Sequence, residues 1–559
     1  MRAPIHTLAL ISILALLAAC SSEPATPESP PQGGTQAQTP ITQLKVGMRR
    51  PPDSLNPYIA QSRGADIVNQ LLYPRLWHEM PDVRDGSPVL IPYLVAEETQ
   101  RPEPANTLRL KLAQGLTWTD GTPLTTADVV FSLEARRNET VAWASFADKN
   151  RIQSWQVVDD HTIDIQFSQE SLYNRVILNE GAIIPKHHFS KIPFDQWDRH
   201  EWEKDAVVFG PYQPVAFGDE RLQFKAVDPE TPIQQLNIAL VRSKETLFNL
   251  LKSGDLDYAW SLPKERISEI SEQLQPTFYT NLETAWLAWN PLDPAAYAAN
   301  PPNNKAELEQ LKKAKPHPVL GDARVRQALS LVLNRQNYID RLWQGHAVVP
   351  ASPWRVGLGY LTDVPPPKTT PDLDKAATLL QAAGWTKQGA SWKKDGRELT
   401  FSITCNLGNN LRGNYLQAIQ ADLALFGVKV ELNMVEGGYY IETGTSRAFD
   451  AIFFGVRQSS RPTLDALLHS DAAINGNNWT ATSALDDLIA KVTLAKDPAE
   501  LQQVVAEMEQ RFLEESPFTM LYSGQQIAAV RAGLSLQADP SHLSPLYRLE
   551  TWQIGNEAR

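Results

Sequence analysis

The sequence predicts a mixed α/β protein, and three observations carry that expectation. Runs with two-residue apolar alternation are interleaved with runs at helical spacing. In the second half they succeed one another as strand, helix, strand, the pattern of βαβ units on a partly parallel sheet. The chain is 559 residues long and 42% hydrophobic, enough for about two to four folding units with large cores.

The elements follow in chain order. "QLKVGMRR" is a first strand. "TLRLKLAQGLTW" alternates and then turns at Asp120-Gly121. "TTADVVFSLEARRN" places Thr125 or Thr126 as an N-cap ahead of helically spaced apolar residues. "SWQVVDDHTIDIQF" reads as two strands around a polar turn. "SKETLFNLLKSGDLDYAW" is a capped helix, a stop at Gly254 and a short strand. "RVRQALSLVLNRQNYIDRLWQG" reads as one long amphipathic helix closed by Gly345, and "LDKAATLLQAAGW" as another closed by Gly384. "LTFSITCNL", "VKVELNMV" and "FDAIFFGV" are strands, and the helix "GNYLQAIQADLALFG" joins the first two. The stretches 293–318 and 350–371 carry no periodicity and read as surface loops.

Ahead of this body, the apolar run Leu8 to Leu17 is too short for a bilayer, which needs ~20 residues. With Arg2 before it and Ala18-Ala19 after it, residues 1–19 read as a secretory signal peptide. Leu17-Ala18-Ala19-Cys20 resembles the bacterial lipobox, which implies acylation of Cys20 and a membrane anchor without a spanning helix. Residues 20–42 are proline-rich and polar, too poor in apolar side chains to order themselves, and serve as a tether of roughly 25 Å.

The whole chain carries a net charge of -12, so an exported body is a poor candidate for nucleic acid or anionic lipid. There are two cysteines. With Cys20 acylated, Cys405 has no intrachain partner and reads as a small buried hydrophobe. The fifteen tryptophans divide between core and cleft roles.

Signatures of catalysis are missing from the sequence. There is no phosphate-cradling G-x-x-x-x-G-K-[ST], no G-x-G-x-x-G after a strand, no H-E-x-x-H, no C-x-x-C and no G-x-S-x-G. His187-His188 read as a surface loop, with adjacent rings poorly placed to share a metal. No catalytic residue, cofactor or metal is expected.

The stretch "LTWTDGTPLTTADVVFSLE" resembles the signature of the family 5 extracellular solute-binding proteins, the peptide-binding lipoprotein class that serves ABC importers. "FGPYQPVAF", "LFNLLKSGDLDYAW", "GDARVRQALSLVLNRQNYI", "LDKAATLLQAAGW", "FDAIFFGV" and "NNWTATSALDDLIAKV" follow in the family's order, so the resemblance covers nearly all of residues 43–559. It implies a type II periplasmic-binding-protein-like two-lobed clamp with an extra α/β domain inserted in the first lobe. Lobe I would comprise 43–80, 195–275 and 522–559, the extra domain 81–194, and lobe II 276–521. The ligand would lie between lobes that close by hinge motion, unaltered chemically. The implied partners are an ABC permease, a peptide or other small polar solute, and a membrane through Cys20. A monomer is expected, exported to the periplasm or cell surface.

The chain departs from the family where peptide-binding members carry an Asp for the peptide amine. Here "FDAIFFGVRQSSRPT" places Ser459 near that position, Val456 at the usual aromatic, and Arg457 and Arg461 beside them. A buried ammonium without a carboxylate would be costly, whereas arginines suit a carboxylate, phosphate or sugar acid. The alignment of motifs implies ligand contacts from Arg63 and Asp66 in a loop after the first strand, Trp143 in the extra domain, and Trp286, Trp289 and Asn290 after the hinge. It implies further contacts from Tyr439, Tyr440, Gln458, Arg461, Asn477, Asn478, Trp479 and Tyr522. An oligosaccharide-binding member of the same fold, an exported lipoprotein hydrolase and a sensor using the same clamp are the alternatives.

Overall fold

A computed structural model describes residues 41–84, 87–141, 143, 151–204, 206–296, 313–353, 367–457, 468–469 and 485–556. Its spine is an eleven-stranded sheet. From one edge, ten of its strands run Lys429–Val435, Thr400–Asn406, Ala451–Arg457, Leu274–Trp289, Phe518–Arg531, Tyr258–Trp260, Gln43–Met48, Gln235–Leu240, Arg221–Ala226 and Tyr212–Phe217. The eleventh, Ala347–Val348, pairs with Phe518–Arg531 off this path. Thr400–Asn406 pairs in parallel with both Lys429–Val435 and Ala451–Arg457, the expected βαβ arrangement, with the helix Asn410–Phe426 as crossover.

Two long strands join the halves of this sheet. Leu274–Trp289 gives its first half to the C-terminal half of Phe518–Arg531, and its second half also to Ala451–Arg457. The register slips between Thr280 and Thr284, where Leu282 takes a left-handed φ of 60°. A leucine pays a steric penalty there, and only its fully buried surroundings hold it. Neither long strand was expected from the sequence. From Thr284 to Trp289 the first is buried on both faces, so no alternation marks it.

A four-stranded sheet, Val95–Arg101, Thr107–Leu112, Thr162–Phe167 and Ile152–Asp159, carries the helix Thr126–Arg137. One hydrophobic core runs through this sheet and the neighbouring half of the large one, joining Leu110, Ile163 and Trp118 to Leu44, Ile238 and Trp552. The other half of the large sheet builds separate cores, one around Trp289 and Tyr415 and one around Trp286 and Phe512.

Three sequence expectations are corrected. The long helix is two, Ala323–Val332 and Arg335–Trp343. Leu333 is extended, and the Asn334 side chain caps the second helix by accepting from Asn337 N at 3.2 Å. His187 and His188 lie on the helical turn Lys186–Phe189. His187 meets Asp120 at 2.7 Å, and His188 is buried edge-on to Trp202. Arg63 and Asp66 open a helix, Arg63–Leu72, rather than lying in a loop.

Candidate functional site: a cavity where the sheet halves meet

The Arg63–Leu72 helix is placed by local chemistry. Ser62 caps it, accepting from Ala65 N at 3.1 Å, and Asp53 accepts from the amides of Gln61 and Ser62. Gly64 lets the helix lie against the preceding segment, since a Cβ there would sit 2.1 Å from the Arg50 carbonyl oxygen. Arg63, Asp66 and Gln70 then share one face at helical spacing. That face lines a cavity of about 660 Å³ together with Tyr73, Trp77, Tyr93, Phe209, His542, Tyr547 and Arg548. Arg457, from the end of Ala451–Arg457, comes from the other half of the sheet. A smaller cavity of about 390 Å³ shares Arg63, Asp66, Gln70, Tyr73, Arg75 and Glu180 with it and is closed by Trp143.

The walls combine flat apolar faces with guanidinium groups. His78 stacks on Tyr93 with centroids 3.8 Å apart, and the Arg175 guanidinium lies 5.3 Å over the Trp77 ring. Arg63 pairs with Asp66 and donates to the Leu543 carbonyl at 3.1 Å. Arg457 donates to the His542 carbonyl and, at 3.1 Å, to the Asn281 carbonyl. Burial, and then the Arg457 charge, hold the Arg63 guanidinium down to about 9. Burial also lowers Arg457. It lowers His78 and His542 to about 4, with the neighbouring arginines adding to the effect, so both imidazoles are neutral at physiological pH. Burial raises the Glu550 carboxyl.

The segments flanking the four-stranded sheet also meet the end of the helix Asp486–Leu494. Leu172 N donates to Ala495 O at 2.8 Å, Ser171 Oγ to Thr493 O at 2.9 Å, and Arg151 to the same Thr493 oxygen at 3.1 Å. Among the described residues, no group of three or more His, Cys, Asp or Glu side chains could hold a metal ion.

Of the residues singled out in the sequence, Arg63, Asp66 and Trp143 come together on the cavity walls. Trp143 is held there by Arg136, whose guanidinium lies 4.8 Å from the ring centroid. The other described ones lie elsewhere. Trp286 packs against Phe454 and Phe518 inside the core. Trp289 donates to Thr519 Oγ1 at 2.9 Å, and Asn290 donates to the carbonyls of Phe449 and Arg447 at 2.9 and 3.1 Å. Tyr522 is enclosed by Trp343 and Tyr415. Tyr439 is exposed on the helix Gly437–Ser446, and Tyr440 donates to Phe453 O at 2.7 Å. Gln458, Arg461, Asn477, Asn478, Trp479 and Cys20 lie outside the described residues. Tyr93, His542, Tyr547 and Arg548 line the cavity without having been anticipated. Phe209, Gly210 and Pro211, which also line it, lie in the Phe-Gly-Pro-Tyr stretch that the sequence had marked.

Residues 90–477 match the model of the bacterial extracellular solute-binding proteins, family 5 (middle region). The chain belongs to the family 5 bacterial extracellular solute-binding proteins. The oligopeptide-binding protein AppA of Bacillus subtilis is 22% identical over 575 residues, covering 98% of each chain. Its solved structure, in complex with a nonapeptide, aligns with a TM-score of 0.67 at 20% identity over 92% of this chain and 99% of that one. NikZ of Campylobacter jejuni, in complex with Ni(L-His), aligns with a TM-score of 0.71 at 18% identity over 92% and 100%. The fold is the mixed α/β, two-lobed type II periplasmic-binding fold. The family is one of substrate binding for transport rather than of catalysis, and its members are extracellular or periplasmic. No helix among the described residues is long and apolar enough to cross a membrane.

Proposed function

We propose that this chain is the lipid-anchored binding component of an ABC importer. It captures an oligopeptide-like or related small polar solute between its lobes and presents it to a membrane permease. The observation that supports this reading best is the 660 Å³ cavity, which takes Arg457 from one half of the sheet and Arg63 from the other. Its volume lies within the ~300–1,000 Å³ of small-molecule sites, and its walls combine aromatic rings with charged side chains of both signs. Segments 43–80, 195–275 and 522–559 form lobe I, 81–194 the inserted domain and 276–521 lobe II. Closure bends the two crossing strands near Leu282 and Gly524. Cys20 carries the lipid.

Native mass spectrometry of freshly purified protein tests the reading. The expected result is a non-covalently retained small solute, released intact on denaturation. A bound compound that the protein turns over would overturn it. For the anchor, Cys20→Ser is expected to move the protein from the membrane to the soluble fraction, and an unchanged distribution would remove that part of the proposal.

A further inference from the structure

The two long strands, Leu274–Trp289 and Phe518–Arg531, have different neighbours on their outer edges. Ala451–Arg457, whose Arg457 lines the larger cavity, flanks the first. Tyr258–Trp260 and Ala347–Val348 flank the second. Beside that second edge the halves of the sheet meet again. Lys264 follows Tyr258–Trp260 and places Nζ 3.8 Å from the ring centroid of Trp343, which belongs to the core around Trp289. Ser268 Oγ donates to Gln344 Oε1 at 3.1 Å. These four residues line neither cavity. Lys264 is almost fully buried and makes no hydrogen bond or ion pair among the described residues. Glu283, Lys244 and Glu265 are the charged groups that act on it, and none is paired with it. A buried ammonium without a carboxylate partner is a poor permanent joint, because an apolar side chain would hold the same indole without the desolvation cost. It suits a joint that opens. On leaving the ring the ammonium regains its water, which offsets the lost cation–π attraction.

We propose that Lys264 and Trp343 form a latch between the lobes, outside the cavity, and that it holds the arrangement in which Arg457 reaches the His542 carbonyl. The inference rests on the transport reading and adds to it a control on closure that the solute does not touch. The arrangement it favours is the one in which both contacts stand together: Arg457 donates to His542 O on the cavity side while the ammonium lies on the indole at the other edge. A cation is held by a ring only within about 6 Å, so parting of the lobes breaks the contact. The latch therefore sets what fraction of the chain is closed before any solute arrives, and apparent affinity scales with that fraction. Gly524 is part of the device, since a side chain there would displace the indole from its place against the crossing strand.

The test uses the full chain stripped of solute, with spin labels at Val215→Cys and Leu425→Cys, exposed positions at opposite ends of the large sheet. Cys405 is buried and takes no label. Lys264→Met keeps an apolar contact with the indole and has no hydration to regain, so it is expected to shift the distance distribution toward short separations. Lys264→Ala withdraws the stem from the ring and should shift it toward long ones. The short-separation fraction in Lys264→Ala should be at least about three-fold below that in Lys264→Met. A role in stability alone would move neither distribution. Equal distributions in the two variants, or shifts in the reverse directions, overturn the latch and leave the transport reading intact. Transport fails separately, if the purified protein retains no solute, and the comparison of the two Lys264 variants then still decides whether the latch exists.

Discussion

Lys264 shows how far one side chain can stand from its sequence context. It lies on a polar turn that nothing in the sequence distinguishes, yet it is 8% exposed, with Nζ 3.8 Å from the Trp343 ring centroid. Burial pushes its pKa down from 10.5 to about 8; Glu283 opposes the shift and Lys244 adds to it. Between those two values the unfolded chain holds a proton that the folded chain has released. The folded state therefore carries its full penalty below about pH 8 and loses it as the pH rises toward 10.5. Lys264→Met is expected to stabilise the protein by about 1–3 kcal/mol at pH 7, since each pKa unit is worth about 1.4 kcal/mol and the ring contact offsets part of the penalty. The gain should vanish near pH 10.5. Urea unfolding of both chains across that range checks it, and a gain independent of pH would assign the effect to packing. The tryptophans give the same lesson. All the described ones except Trp143 and Trp155 are buried, so residue type was a poor guide to the cleft.

Among the elements, the segment that made the family legible is structural. Thr125 and Asp128 form a capping box at the start of Thr126–Arg137. The Asp128 carboxylate also accepts from Lys186 N at 2.8 Å and from Trp118 Nε1 at 3.4 Å, tying the helix to the turn before it and to the segment that follows the four-stranded sheet. Every one of these demands falls on near neighbours or on a cap, which is why the pattern survives as a readable string. Thr125→Ala is expected to cost about 1 kcal/mol, the usual value of a lost cap. Asp128→Ala should cost more, on the order of 3 kcal/mol, because it leaves buried N–H groups without acceptors. Chemical denaturation separates the two, and equal losses would show that the contacts beyond the cap contribute nothing. The split between Ala323–Val332 and Arg335–Trp343 was missed for a related reason. Apolar spacing continues through the break, and only the Asn334 cap and the Asp422 carboxylate, which takes Asn334 N at 2.8 Å, interrupt it.

For the whole molecule, two strands, Leu274–Trp289 and Phe518–Arg531, run through both halves of the large sheet. Gly524 lies on Phe518–Arg531 between Ser523, which pairs with Thr284, and Gln525, which pairs with Thr280, and stands opposite Ala347. A Cβ at Gly524 would come within 1.9 Å of the Trp343 ring, so the indole occupies the space a side chain would need. Gly524→Ala is expected to destabilise the protein by about 1–3 kcal/mol through overpacking, with a lower melting temperature. Trp343→Phe in the same chain should recover part of that loss, and independent, additive effects would show that the two groups do not compete.

The sequence by itself determined the α/β class, the βαβ order of the second half, the family and two of the residues on the large cavity's wall, Arg63 and Asp66. These depend on periodicity, caps and motif order, which act over a few residues. The tertiary structure alone decided that Arg457 and Arg63 line one cavity, that the carbonyls of His542 and Leu543 receive them, and that Trp289 and Tyr522 belong to a core. Those outcomes depend on pairings between residues hundreds of positions apart and on strands buried on both faces. Neither leaves a local period to read.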